Sequence, residues 1–100
     1  MRRLAELVAP VEAETPYGGR VVSYEPLGSV WLRIGMHQRR GRTDAGVMSE
    51  IDTASAETRA DPRLVEGRVL RFGGGDWLIA AMNGDPDRPG RVTLNIERTR

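Results

Sequence analysis

Hydrophobic and polar positions alternate most regularly in the last third of the chain. From Arg91 to Arg98, Val92, Leu94 and Ile96 fall on one side, and Arg91, Thr93, Asn95 and Glu97 on the other. A period of two is the signature of a strand with one buried and one wet face. Upstream, Arg68 to Phe72 and Trp77 to Met82 are apolar, extended runs. Gly73-Gly74-Gly75-Asp76 separates them, and Gly84 to Gly90 (GDPDRPG) precedes the alternating run. Glycine reaches positive φ without a steric penalty and proline fixes φ near the turn value, so both separators read as turns. Val65 to Arg98 is therefore expected to be a three-stranded meander.

The same pattern recurs earlier, less regularly. Arg2 to Val11 alternates loosely and fits a strand or a short helix, with Pro10 limiting a helix. Glu14 to Gly19 (ETPYGG) is a turn signal, Arg20 to Glu25 (RVVSYE) is a β-rich run, and Pro26-Leu27-Gly28 breaks it. Ser29 to Met36 is the next strand, with Val30, Leu32 and Ile34 on one face and Trp31, Arg33 and Gly35 on the other. Trp31 on that second face implies partial cover there, with the N-terminal segment as the candidate. His37 to Gly46 (HQRRGRTDAG) is polar, glycine-containing and basic, and reads as a mobile loop. Val47 to Arg59 is ambiguous. Val47, Met48, Ile51 and Ala54 make a helical stripe, whereas Ile51, Thr53 and Ser55 fit one face of a strand. Asp61-Pro62 and Glu66-Gly67 mark the turn region before the meander.

The expected fold is mainly β: a small β-barrel or sandwich of five to six short antiparallel strands, with a long loop and at most one short helix. One hundred residues make a single domain, 1–100. Aromatic residues are few, and each tryptophan can bury roughly 150–250 Å². Trp31 and Trp77 are accordingly expected at or near the core.

Composition narrows the chemistry. The formal net charge is +1, which gives no global attraction to nucleic acid or membrane. All 15 basic residues are arginine. That composition fits a GC-rich genome first, and bidentate contacts at interfaces or phosphates second. No cysteine is present, which removes disulfides, thiolate metal sites and a cysteine nucleophile. Met1 to Leu7 lacks the apolar run of a signal peptide, and no stretch has the ~18 apolar residues of a membrane helix. The chain is expected to be made in a cytoplasm and to have no membrane partner.

Catalytic groupings are sparse. Ser29, His37 and Asp44 could be drawn as a triad, but no nucleophile-elbow motif surrounds the serine. Gly73-Gly74-Gly75 lacks the Gly-Lys-Ser/Thr ending of a phosphate loop. The Asp85 to Gly90 turn fails as a calcium loop, because Pro89 stands at the fifth position. No catalytic, cofactor or metal residues are assigned, no small-molecule substrate is expected, and the chain reads as a non-enzyme. One charged feature remains. Arg39, Arg40 and Arg42 on a flexible loop could contact a phosphate backbone without reading sequence. The plainer reading is a solvated loop, since no aromatic residues flank it to stack bases.

The order of signals resembles a known family. Tyr17-Gly18-Gly19 leads to a strand pair ending in Val30-Trp31-Leu32-Arg33-Ile34. A polar loop and an irregular stretch ending in Thr58-Arg59 follow. Then come an acidic turn, Gly67-Arg68-Val69, a glycine hairpin, Trp77-Leu78-Ile79 and a final strand. Nearly the whole chain resembles the phage head-tail joining (head-completion, or stopper) family, in particular its gene transfer agent versions. Val47 to Ala56 departs from that pattern, which carries a more regular Glu- and Gln-rich helical segment there. The resemblance implies a structural subunit of a virion or gene transfer agent particle, assembled in the bacterial cytoplasm and placed at the head-tail joint. It implies a homo-oligomeric ring of roughly six or twelve copies. Its partners would be the adaptor or portal ring, the tail terminator and, nonspecifically, packaged double-stranded DNA. By position, His37 to Val47 would be the loop that points into the channel, with Met48 to Ala56 beside it and Arg39, Arg40 and Arg42 facing DNA. A tail terminator of the same kind of particle and a stand-alone nucleic-acid-binding barrel are the alternatives.

Overall fold

The computed structural model describes residues 2–44 and 46–99, without the side chains of Arg40, Arg42, Thr43, Asp44, Val47, Met48, Ser49 and Thr99. Six strands form it: β1 (Arg2–Glu14), β2 (Arg20–Asp44), β3 (Val47–Arg59), β4 (Val69–Phe72), β5 (Gly75–Gly84) and β6 (Arg91–Thr99). They close into an antiparallel barrel in the order β1-β2-β3-β6-β5-β4. Two meanders, β1-β2-β3 and β4-β5-β6, are joined along β3/β6 and β1/β4. Closure removes the free edges that an open sheet of this size would leave.

The C-terminal meander is as expected. Gly73 and Gly74 both have positive φ, 59° and 77°, between the closing pair Phe72 and Gly75. Two positive values are the requirement of a type I′ turn, whose twist matches the strands it joins. Leu94 and Ile96 point inward and are almost wholly buried.

One ambiguity is resolved and two expectations are corrected. First, Val47–Arg59 is a strand throughout, and there is no helix among the described residues, within the expected bound of at most one short helix. Its inner face is Asp52, Ala54, Ala56 and Thr58, not the Ile51–Thr53–Ser55 face. Second, the polar stretch read as a mobile loop is the end of β2, paired with β3 from His37↔Ala54 to Asp44↔Val47. The strands are correspondingly long, 25 residues in β2. Third, Trp31 is 61% exposed, because β1 lies beside it, with Leu4 directly opposite, and not over it. Trp77, by contrast, is 6% exposed.

Bulges explain how so long a strand serves a small barrel. Pro26-Leu27-Gly28 does not end β2. The register shifts there, with Leu7 opposite Gly28 and Val8 opposite Pro26, and Gly28 takes φ 110°. A second shift lies between Ile34 and His37. An inserted residue bends the strand and reverses which side chains face inward. Val30, Leu32 and Ile34 face the core before it, and His37 and Arg39 follow on the same side after it. A third shift, between Ile79 and Ala81, bends β5.

The interior is filled by rows across neighbouring strands. Ala54, Ile96 and Ile79 form one, Ala56, Leu94 and Met82 another, and Leu7, Leu70 and Trp77 a third. The alanines of β3 make room for the larger residues of β6, as a narrow barrel demands. The β3–β4 connection crosses one barrel end and buries Leu64 in the core. Asp61 grips Arg63 through both carboxylate oxygens, at 3.0 and 2.8 Å, and Arg63 donates to the Leu27 carbonyl at 2.7 Å. Leu64 is thereby held as a plug.

Two hairpins extend beyond the barrel. The β1–β2 arm, residues 9–26, leaves at the plugged end, because β4 pairs only with Glu6, Leu7 and Val8 of β1. The β2–β3 arm leaves at the other end, because β6 reaches no further than Ile51 of β3. The radius of gyration is 15.1 Å, against about 13 Å for a compact chain of this length. The arms account for the difference, and the long axis is 50 Å.

Trp77→Ala is expected to cost about 3–5 kcal/mol, and Trp31→Ala less than about 1 kcal/mol in the isolated chain. Chemical denaturation of both variants checks this; equal losses would contradict the burial described.

Candidate functional site

The base of the β2–β3 arm is the most elaborated region. Asp52 is fully buried on β3. Strand register places Arg39 of β2 directly opposite it on one side and Arg98 of β6 on the other. Arg39 Nε donates to Asp52 Oδ1 at 3.2 Å, and Arg98 Nη2 to Oδ2 at 3.1 Å. His37 Nε2 lies 3.9 Å from Oδ2. A buried carboxylate is tolerated only when its charge is compensated and its oxygens are bonded, and the two guanidinium groups do both.

Aromatic residues continue this cluster. The Trp77 ring stacks on Phe72 at 5.7 Å and meets His37 edge-on at 5.7 Å, while the Arg98 guanidinium sits 4.8 Å above Trp77. Arg98 Nε is buried with no hydrogen-bond partner among the described residues. Together with Arg3, Ile34, Ala54 and Gly73, these side chains line a cavity of about 320 Å³ at the barrel mouth. A Cβ at Gly75 would collide with Arg98, so the hairpin glycine also lets this guanidinium lie flat.

The anticipated site residues are divided by this geometry. Arg39 is not a free loop cation but one side of the Arg39–Asp52–Arg98 row. Arg40 and Arg42 pair by backbone with Ile51 and Ser49, and their side chains lie outside the described residues. Ser29 and His37 are eight positions apart on one strand, about 25 Å of extended chain, so no triad can form. The side chain of Asp44 is also outside the described residues. No group of three or more His, Cys, Asp or Glu that could hold a metal exists among the described residues. The Asp85 turn is held by Asp87 N–H and by Arg88, with the Asp87 N–H chiefly lowering the Asp85 pKa below its ordinary value. Sequence reading missed Asp52 because an isolated acid inside a polar stretch has no pattern of its own; only strand register reveals its two partners.

The fold has a counterpart among solved structures. A chain of a structure titled "Virion of native gene transfer agent (GTA) particle" matches with a TM-score of 0.76 and 21% identity, over 98% of this chain and 94% of that one. The likeness therefore spans barrel and arms alike. No family model matches the sequence. No curated protein matches it either.

Removing the carboxylate would strand two arginines around an empty buried position. Asp52→Ala is expected to cost about 3–5 kcal/mol by denaturant titration, and a loss under about 1 kcal/mol would contradict the role given to the row. A second expectation concerns acid. The Arg63 side-chain hydrogen bonds hold the Asp61 carboxyl down to about 2, from an ordinary 3.8. Because the folded value is the lower, the clasp contributes fully above the ordinary value and is lost as pH falls towards 2. A carboxyl NMR titration of Asp61 should show its midpoint near the depressed value; an ordinary midpoint would mean that the clasp does not form.

Proposed function

We propose that this chain is a non-enzymatic structural subunit of a phage-like or gene transfer agent particle, and specifically the stopper that closes the head below the portal and adaptor and offers a platform to the tail. The observation that supports it most is the whole-length likeness to a chain of a gene transfer agent virion, arms included. The head-tail joining signals in the sequence point to the same place. The shape fits as well. A ring subunit needs two different side faces and two end faces. A closed barrel with hairpin arms leaving opposite ends provides them without any open sheet edge in its body.

In this reading the β2–β3 arm is the element that meets packaged DNA. Arg40 and Arg42 are the phosphate-contacting residues, acting nonspecifically through charge. Arg39, although in the same basic run, keeps the base of the arm in register. Replacing all three together would therefore mix two effects, fold and contact. The double variant Arg40→Ala/Arg42→Ala separates them: it should leave folding intact while filled heads lose DNA. Full retention of DNA would remove the DNA contact and leave the ring standing.

The role itself is tested by deleting the chain from its source. Electron microscopy should show tailless heads, and an assay of encapsidated DNA should show its loss. Normal tailed, DNA-filled particles would overturn the stopper reading.

A further inference from the structure

Beyond Val8, β1 pairs with β2 alone, and the Arg71 guanidinium lies 4.9 Å over the Tyr24 ring. Val11, Val21, Val22 and Tyr24 are 40–53% exposed. Register puts Ala9 opposite Glu25, Val11 opposite Ser23 and Ala13 opposite Val21, so these six share one face, with Glu12, Glu14, Val22 and Tyr24 on the other. The arm, residues 9–26, carries Glu12, Glu14 and Glu25 against the single arginine Arg20, which pairs with Glu12 at 3.4 Å.

On the barrel wall the charge is opposite. A groove of about 390 Å³ runs between β2 and the end of β3, and its lining includes five arginines against Glu57 and Asp61. Arg63 is taken up by Asp61, and Arg91 by Glu57. Arg2, Arg33 and Arg59 are exposed and make no ion pair among the described residues. In the same groove stands Trp31, with Leu4 beside it at 53% exposure. β3 pairs with β2 from Arg33 onward, and beyond that point Thr58 of β3 reaches β2 through its Oγ1, which donates to the Trp31 carbonyl at 2.8 Å. Exposed tryptophan and arginine at a desolvatable centre are the usual makings of a binding hot spot.

We infer that the groove receives the β1–β2 arm of a second copy of this chain. The valine face would cover Trp31 and Leu4, and Glu25, on that same face, would reach the unpaired arginines. Arm and groove are different surfaces, so the contact is heterologous and propagates from copy to copy until it closes. This inference supplies the subunit contact of the proposed ring and rests on that reading.

The natural absence of cysteine makes the test direct. The double variant Val11→Cys/Ser29→Cys, treated with a short bis-maleimide in concentrated solution and in purified particles, should give a ladder of covalent multimers. Each single variant should stop at dimers or below. Adding Arg33→Glu and Arg59→Glu should reduce the ladder at least tenfold, with the circular dichroism spectrum unchanged. No ladder from a chain that native mass spectrometry or the particle shows to be oligomeric would overturn the arm-groove contact and spare the ring. No oligomer in either setting would overturn both. If the charge reversals leave the ladder intact and instead abolish salt-dependent DNA binding by the chain, the groove holds phosphate and the inference fails.

Discussion

A single buried carboxylate dictates much of this molecule. Asp52 lies at the point where the barrel gives way to an arm, and neither apolar packing nor water can satisfy it there. Arg39 and Arg98, one from each flanking strand, must both be opposite it. A slip of one residue in either pairing would turn a guanidinium outward and leave the charge unpaired, so the row fixes register on both sides of β3. The bulge between Ile34 and His37 follows from the same demand, since only an inserted residue puts Arg39 on the face that Ile34 leaves. Arg98, once committed to Asp52, covers Trp77, and Trp77 orders Phe72 and His37 at the barrel mouth.

That constraint also explains what the sequence made legible. Residues 68–96 announce themselves because their core face is apolar and their turns are built from glycine and proline. β3 does not, because its core face is Asp52, Ala54, Ala56 and Thr58. Small and polar residues are chosen there by neighbours, with Ile34 and Leu94 flanking Ala56 and the arginines flanking Asp52. No periodicity scan of one strand can see such a choice. The stretch His37 to Asp44 reads as a loop for a related reason: it is polar throughout, and its place in the sheet comes from backbone pairing with β3, which no hydrophobic alternation announces. Trp31 misled in the opposite direction. Its size argues for burial, yet it sits on the outer wall, 61% exposed.

The candidate site was legible only in part. The basic run at Arg39 to Arg42 stands out in the sequence, but its division into a structural residue and two arm residues needs register. The groove beside Trp31 is assembled from Arg2, Arg33 and Arg59 on three strands, far apart in the chain. Both surfaces carry charge beside apolar area, one at the base of the β2–β3 arm and the other on the barrel wall beside Trp31.

The most direct measurement is electron cryomicroscopy of intact particles from the source, at a resolution that distinguishes strands. This barrel should fit a ring of density between portal and tail, with the β2–β3 arms directed at the channel and the β1–β2 arms at neighbouring subunits. A ring at that position whose density is incompatible with a six-stranded barrel, or this barrel found elsewhere in the particle, would contradict the assignment.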